Sequence, residues 1–199
     1  MNTPLKILKA AVTALRKHEC AWCLIGGHAA SLYRLQERLT KDVDFALVGR
    51  PASRSRATAA QVIRAIGLKP VLSFIPPRPG EAGRPALGLV TSEPPRGAST
   101  GIIDILLPVL PWLEPAVERA QHNLIDLGFA RIPVITPEDL IVAKSYALRN
   151  SPDRFQDLDD LRAIFEGDNR LDLDYLRAGL GALKLSIPEL VRPFAPRGL

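Results

Sequence analysis

The first third of the chain alternates between helical and extended patterns of apolar residues. Leu5, Leu8, Val12 and Leu15 recur at helical spacing, with lysines between them, and predict a helix over residues 4–17. The later segments predict a strand over 22–25 that ends at a glycine pair, a helix over 29–35, a strand over 42–47 and a helix over 53–66. The pattern indicates alternating helices and strands.

The middle of the chain contains the strongest strand signal. Residues 102–107 read Ile-Ile-Asp-Ile-Leu-Leu and are apolar on both faces of a strand, except for Asp104. Two weaker strands are predicted over 71–75 and 87–91, with a loop rich in proline, glycine and arginine between them. This loop belongs to an expected insertion over about 76–97.

Helical signals dominate the last third. Thr136 is followed by Pro137, Glu138 and Asp139, which is the order of an N-cap, a proline at the first helical position and acidic residues in the first turn. That helix is predicted to reach residue 149, and further helices are expected from 151–153 to Gly167, over 174–183 and over 187–191.

These elements predict an α/β fold, α+β in strict usage: a small mixed sheet flanked by helices and followed by a C-terminal helical segment. We place the α/β unit at residues 1–135 and the helical segment at 136–199. No run of about 18 apolar residues occurs, which argues against a membrane span. The N-terminus lacks a signal-peptide pattern, and two cysteines cannot form a disulfide scaffold, so we expect a cytoplasmic protein.

Three aspartates carry the candidate chemistry. Asp42 and Asp44 are two apart on a predicted strand, so their side chains share one face, and such a pair requires solvent, a proton or a cation. Asp104 lies in an apolar strand, where a charge is normally excluded. If the two strands are neighbours, the three carboxylates form an oxygen-rich site suited to Mg²⁺ or Mn²⁺. The alternative is an exposed pair, with Asp104 hydrogen-bonded to the backbone.

The glycine pair Gly26-Gly27 lies between a strand and a helix, shortly before the aspartates. Glycines at such a place let the backbone approach a ligand, and free helix N–H groups favour an anion. A tight structural turn is the alternative interpretation.

Together, Gly26-Gly27-His28-Ala29 and the segment from Arg38 to Phe45 (Arg-Leu-Thr-Lys-Asp-Val-Asp-Phe) resemble the signature of the polymerase-beta-type nucleotidyltransferase superfamily. They are most similar to its small prokaryotic branch of AbiEii-type toxins and minimal nucleotidyltransferases. The resemblance implies a triphosphate near the glycines and two Mg²⁺ ions bound by the catalytic carboxylates Asp42, Asp44 and Asp104. It also implies transfer of a nucleotide from an NTP, with ATP among the candidates, to an RNA, protein or small-molecule hydroxyl, and an antitoxin partner.

The chain departs from the family pattern after the glycines, where many members carry a serine that contacts a phosphate. His28 stands at that position, and Ser31 lies one helical turn later. We assign both to substrate binding, together with Gly26, Gly27, Arg38 and Thr40. A catalytically inactive module that binds a nucleotide or a partner remains the alternative hypothesis.

Lys144 completes the candidate site. It lies on the apolar stripe Leu140–Lys144–Leu148 of its predicted helix, which is an unusual place for a lysine. We expect either a contact with the triphosphate or a surface lysine whose stem covers apolar surface. Asp157 and Asp160 are expected to pair with Arg154 or Arg162.

The charge of the chain is uneven. The sequence has 26 basic and 21 acidic residues, and residues 50–100 alone contain eight basic and two acidic ones. This stretch is interpreted as a solvated loop region or as a surface that faces phosphates or RNA. A basic RNA-binding module is therefore a third functional hypothesis.

Overall fold

The computed structural model describes residues 4–36, 39–75, 86–93 and 102–199. The α-helices are α1 (Pro4–Leu15), α2 (Gly26–Ser31), α3 (Ala52–Ala65), α4 (Leu113–Ala120), α5 (Pro137–Asn150), α6 (Phe155–Glu166) and α7 (Leu173–Ala182). The strands are β1 (Ala21–Ile25), β2 (Val43–Val48), β3 (Pro70–Ile75), β4 (Ala86–Ser92), β5 (Ile103–Leu106), β6 (Leu124–Asp126) and β7 (Arg131–Pro133). A 3₁₀ turn spans Arg192–Phe194.

The five longest strands form one mixed sheet in the order β1-β2-β5-β4-β3. β2 and β5 are parallel, and the other neighbouring strands are antiparallel. Phe45, Ile103 and Ile105 are completely buried at the centre, because β2 and β5 have strands on both sides and helices against the sheet. The predicted mixed sheet with flanking helices is confirmed.

The helices form two groups. α1, α3 and α4 pack against the sheet, whereas α5 packs against α6 and α7. The short α2 contacts β1 and β2 as well as α5 and α6, so it lies where the sheet meets the C-terminal helices. The chain entering α5 is also fixed to the sheet, because the Ile135 N–H donates to Leu24 O at 2.9 Å. The division at residue 135 stays a prediction.

Some predicted elements differ from the structure. The helix predicted over 29–35 is instead the six-residue α2, which begins at the glycine pair itself. The prediction of a helix over residues 187–191 is wrong. Those residues lead into the 3₁₀ turn, and Pro193 leaves too short a stretch for an α-helix. None of the described helices is long and apolar enough to cross a membrane.

Candidate functional site

The packing of Asp44 requires a glycine at position 26. Gly26 follows β1 and begins α2 with φ +65°, a left-handed conformation that favours glycine, and a Cβ built there would overlap the Asp44 carboxylate. The Gly27 N–H donates a hydrogen bond to the same carboxylate. The pair therefore allows β1 and α2 to close directly on an aspartate of the neighbouring strand.

Asp44 and Asp104 lie side by side across the parallel β2–β5 pair. Burial raises the pKa of Asp44 to about 7, and the negative charges of Asp104 and Asp42 add to the rise. The Gly27 hydrogen bond and the charge of Lys144 act in the opposite direction. An aspartate with this pKa is only partly ionised at neutral pH, and a cation beside it would favour the ionised form.

Asp104 is the second enclosed carboxylate. Burial raises its pKa, the Thr91 hydroxyl opposes the rise through a hydrogen bond, and the charge of Asp42 adds to it. Thr91 is opposite Asp104 on β4. The Oδ1 atom of Asp104 is buried and has no hydrogen-bond partner among the described residues. A buried carboxylate oxygen without a partner is energetically costly and is a natural ligand position for a hard cation.

Asp42 precedes β2 by one residue and is half-buried. It lines the same cleft as Asp44 and Asp104, and its charge influences the pKa of both. Within the described ranges, no three His, Cys, Asp or Glu side chains are positioned to hold a metal ion together. The three aspartates line one cleft, but in this arrangement they do not by themselves form a complete metal site.

The cleft has a volume of about 450 Å³ and lies between the sheet and helices α5 and α6. Seven of the predicted site residues line it: Gly26, Gly27, Thr40, Asp42, Asp44, Asp104 and Lys144. His28 and Ser31 lie on α2 but do not line the cleft, and the Ser31 hydroxyl donates to Gly27 O at 2.9 Å. Arg38 lies outside the described residues.

Lys144 is buried, with 6% of its surface exposed, so the expectation of a surface lysine is wrong. Its Nζ atom lies 2.6 Å from Asp157 Oδ1 and 2.7 Å from Asp160 Oδ2. From the sequence, these aspartates were expected to pair with Arg154 or Arg162. Asp157 does contact Arg154, whereas Asp160 is paired with Lys144 and with Arg34 at 3.1 Å.

This network fixes the wall of the cleft opposite the three aspartates. Burial alone would raise the pKa of Asp157, but Lys144 and Arg154 together hold that pKa below its usual value. Asp157 is therefore ionised and keeps the Lys144 ammonium in place. Lys144 and Arg154 line the cleft from this wall, and Lys41 beside Asp42 is a third cation in its lining.

A family model for the nucleotidyl transferase AbiEii toxin of type IV toxin–antitoxin systems matches residues 7–186. The match covers most of the chain and includes every predicted site residue. The chain belongs to the AbiEii nucleotidyl transferase family. No curated protein matches it significantly.

Solved structures agree with the fold of this AbiEii family member. A solution structure of the antibiotic-resistance factor ANT(2'')-Ia has a TM-score of 0.56 and 12% identity, over 90% of this chain and 92% of that one. ANT(2'')-Ia in complex with adenylyl-2''-tobramycin has a TM-score of 0.55 and 14% identity, over 90% and 98%. An antigenic nucleotidyltransferase-like protein from Paracoccidioides brasiliensis has 15% identity over 89% and 86%, but its TM-score of 0.47 is too low to support the fold.

The cleft also contains a residue that was not predicted from the sequence. Trp112 immediately precedes α4 and lines the cleft with Asp104 and Leu106. Its indole Nε1 is buried and has no partner in the described part of the chain, and the same holds for Thr40 Oγ1. Both atoms are therefore candidates for contacts with a bound substrate. A tryptophan in an apolar stretch gives no sequence signal that separates such a role from core packing.

Proposed function

We propose that the protein transfers a nucleoside monophosphate from an NTP to an acceptor hydroxyl and that it requires Mg²⁺. One observation carries the proposal: Asp44 and Asp104 are neighbours in an enclosed cleft, and Asp104 leaves a buried oxygen without a partner. Such an arrangement is unfavourable in an empty site and favourable around a cation.

The donor set fits magnesium. Asp42, Asp44 and Asp104 would hold two Mg²⁺ ions, with Mn²⁺ as a substitute, because carboxylate oxygens suit these metals. Mg²⁺ usually takes only one or two carboxylates and completes its shell with water and substrate phosphates, which agrees with a cleft where protein ligands alone do not suffice. When bound, the metal neutralises phosphate charge and orients the reacting oxygens.

Residues on the two walls of the cleft have different roles in the proposed reaction. Gly26 and Gly27 leave room for the backbone to approach the triphosphate, and Lys144 and Arg154 face it from the opposite wall. In the reaction, the acceptor oxygen bonds to the α-phosphorus, the bond to the β-phosphate oxygen breaks, and pyrophosphate leaves. Asp104 accepts the proton of the acceptor hydroxyl.

We propose a cytoplasmic protein of a toxin–antitoxin pair with an antitoxin partner, on the strength of the family match. The acceptor is an RNA, a protein or a small molecule. The complex of ANT(2'')-Ia with adenylyl-2''-tobramycin makes a small-molecule hydroxyl worth including in the test.

A second candidate function is nucleotide or partner binding without catalysis. Two observations favour it: His28 stands where many relatives have serine, and the Lys144 ammonium is already paired with two carboxylates. The enclosed aspartates argue for the active enzyme.

The deciding experiment incubates the protein with Mg²⁺ and each α-labelled NTP, with total RNA, lysate protein and an aminoglycoside as separate acceptors. Transfer of label is expected for the wild type and for Asp174→Asn, a control that removes an exposed carboxylate on α7. Asp42→Asn/Asp44→Asn should abolish transfer. Label transfer in the double variant would refute the metal site, and Mg²⁺-dependent NTP binding without transfer would favour the binding module.

A further inference from the structure

A second cavity lies apart from the cleft. It has a volume of about 330 Å³ and is formed by α5, the start of α6 and residues 184–190 after α7. We call it the C-terminal groove. It shares no lining residue with the cleft, although α5 lines both. Its volume lies at the lower end of the range for small-molecule sites.

The walls of the C-terminal groove are apolar. The apolar side chains that line it are Leu148, Pro152, Leu158, Leu185, Pro188 and Leu190. Leu190 is 73% exposed at the rim. These walls suit an aliphatic or aromatic body rather than a polar ligand such as a sugar.

A polar group without a partner lies in this apolar setting. Ser145 lines the groove, is only 2% exposed, and its hydroxyl has no hydrogen-bond partner within the described parts of the chain. A buried hydroxyl without a partner is costly, and a ligand oxygen would remove that cost. The hydroxyl thus marks where the polar end of a ligand would lie.

Two cationic side chains, Arg149 and Lys184, line the same groove. Arg149 is one helical turn after Ser145, so the two side chains lie on one face of α5. Its guanidinium donates to Leu183 O at 2.8 Å and lies over the Tyr146 ring, which holds it in place. Lys184 adds a second cation, with its backbone at φ +52°, and Glu189 is the acidic residue among the groove residues.

We propose that the C-terminal groove is a binding site for a small anionic amphiphile, a monocarboxylate with an apolar body. The carboxylate accepts hydrogen bonds from Ser145 and Arg149 beside Lys184, and the body packs on the leucines and prolines. Arginine suits this role because its planar guanidinium matches a carboxylate. The site does not depend on nucleotidyl transfer, and its ligand does not enter the catalytic cleft.

The test titrates the full chain with sodium octanoate and, as a neutral probe of equal length, octan-1-ol, and follows the backbone amides by NMR. Saturable shifts are expected at Ser145, Arg149 and Leu185, with octanoate at least fivefold tighter than octanol. Lys184→Gln and Ser145→Ala should each lower the affinity for octanoate at least threefold. Arg64→Gln, which removes an exposed charge on α3, should not.

Three results would overturn the proposal. Equal affinity for octanoate and octanol would show an apolar groove without anion selectivity. Shifts at Gly27 or Asp104 instead of the groove would place the probe in the catalytic cleft. Groove amides that broaden with protein concentration and ignore octanoate would make the groove a contact between copies of the chain.

Discussion

At the scale of single residues, Asp44 illustrates how a binding site reduces stability. The folded chain encloses its carboxylate beside Asp104 and Asp42, so its pKa rises from 3.8 to about 7. The folded state therefore binds a proton more tightly than the unfolded state. The contribution of Asp44 to the free energy of unfolding is therefore complete below about pH 4 and is lost as the pH rises through 7.

We therefore expect that, in EDTA, the wild type loses thermal stability between pH 5 and pH 8 more steeply than Asp44→Asn. At pH 8 the variant should melt at least about 3 °C higher, which corresponds to about 1 kcal/mol in a chain of this length. Added Mg²⁺ should raise the melting temperature of the wild type and leave the variant unchanged. Circular dichroism melts at both pH values measure this, and parallel pH profiles would contradict it.

Lys144 shows the opposite case, a charge that its partners fully compensate. Lys144→Ala would leave Asp157 and Asp160 buried without their shared cation, and we expect a loss of about 3–5 kcal/mol in the free energy of unfolding. Glu166→Gln, which breaks the exposed Arg162–Glu166 pair, should cost at most about 0.5 kcal/mol. Urea unfolding compares the two, and equal losses would mean that the buried network contributes no more than a surface pair.

At the scale of elements, α5 separates the two cavities, and its start was readable from the sequence. The Asp139 N–H donates to Thr136 Oγ1 at 3.3 Å, and the Thr136 hydroxyl donates to Asp139 Oδ2 at 2.9 Å. These bonds confirm the N-cap prediction. The sequence could predict the cap because capping depends on neighbouring residues alone.

Thr136→Ala should cost about 1 kcal/mol of stability, because the Asp139 N–H and carboxylate each lose a partner. Thr136→Ser keeps the hydroxyl and should recover most of the loss. Thermal unfolding of both variants measures the difference. A serine variant as unstable as the alanine variant would show that Thr136 acts through packing of its methyl group instead.

The elements that the sequence analysis missed lack such local signals. α4 has Pro115 in its first turn, and a proline in a sequence argues against a helix. A proline is nevertheless tolerated at this position, because first-turn N–H groups have no helical partner. β6 and β7 have three residues each, too few to show alternation. That β2 and β5 are neighbours was a condition of the metal-site hypothesis and not a prediction, because strands separated by α3 and the β3–β4 hairpin carry no pairing signal of their own.

At the scale of the molecule, three of the five basic residues that the structure describes between residues 50 and 100 are paired with acidic side chains. Arg54 pairs with Glu19 at 3.1 Å, Lys69 with Glu93 at 2.7 Å and Arg50 with Glu118 at 3.7 Å. These exposed pairs contribute little stability, but they reduce the charge available to a phosphate backbone. The described surface thus gives little support to a general RNA-binding module.

The cleft itself combines both parts of the chain, since the sheet with α2 supplies one wall and α5 with α6 the other. A bound NTP with Mg²⁺ would therefore contact both walls at once. We expect hydrogen exchange to slow together in peptides covering Gly26–Gly27 and Lys144–Asp157 when Mg²⁺ and ATP are added. Exchange in the β6–β7 hairpin, which does not line the cleft, should stay unchanged. Asp42→Asn/Asp44→Asn should lose the protection of both walls, and protection confined to one wall would contradict a nucleotide bound between them.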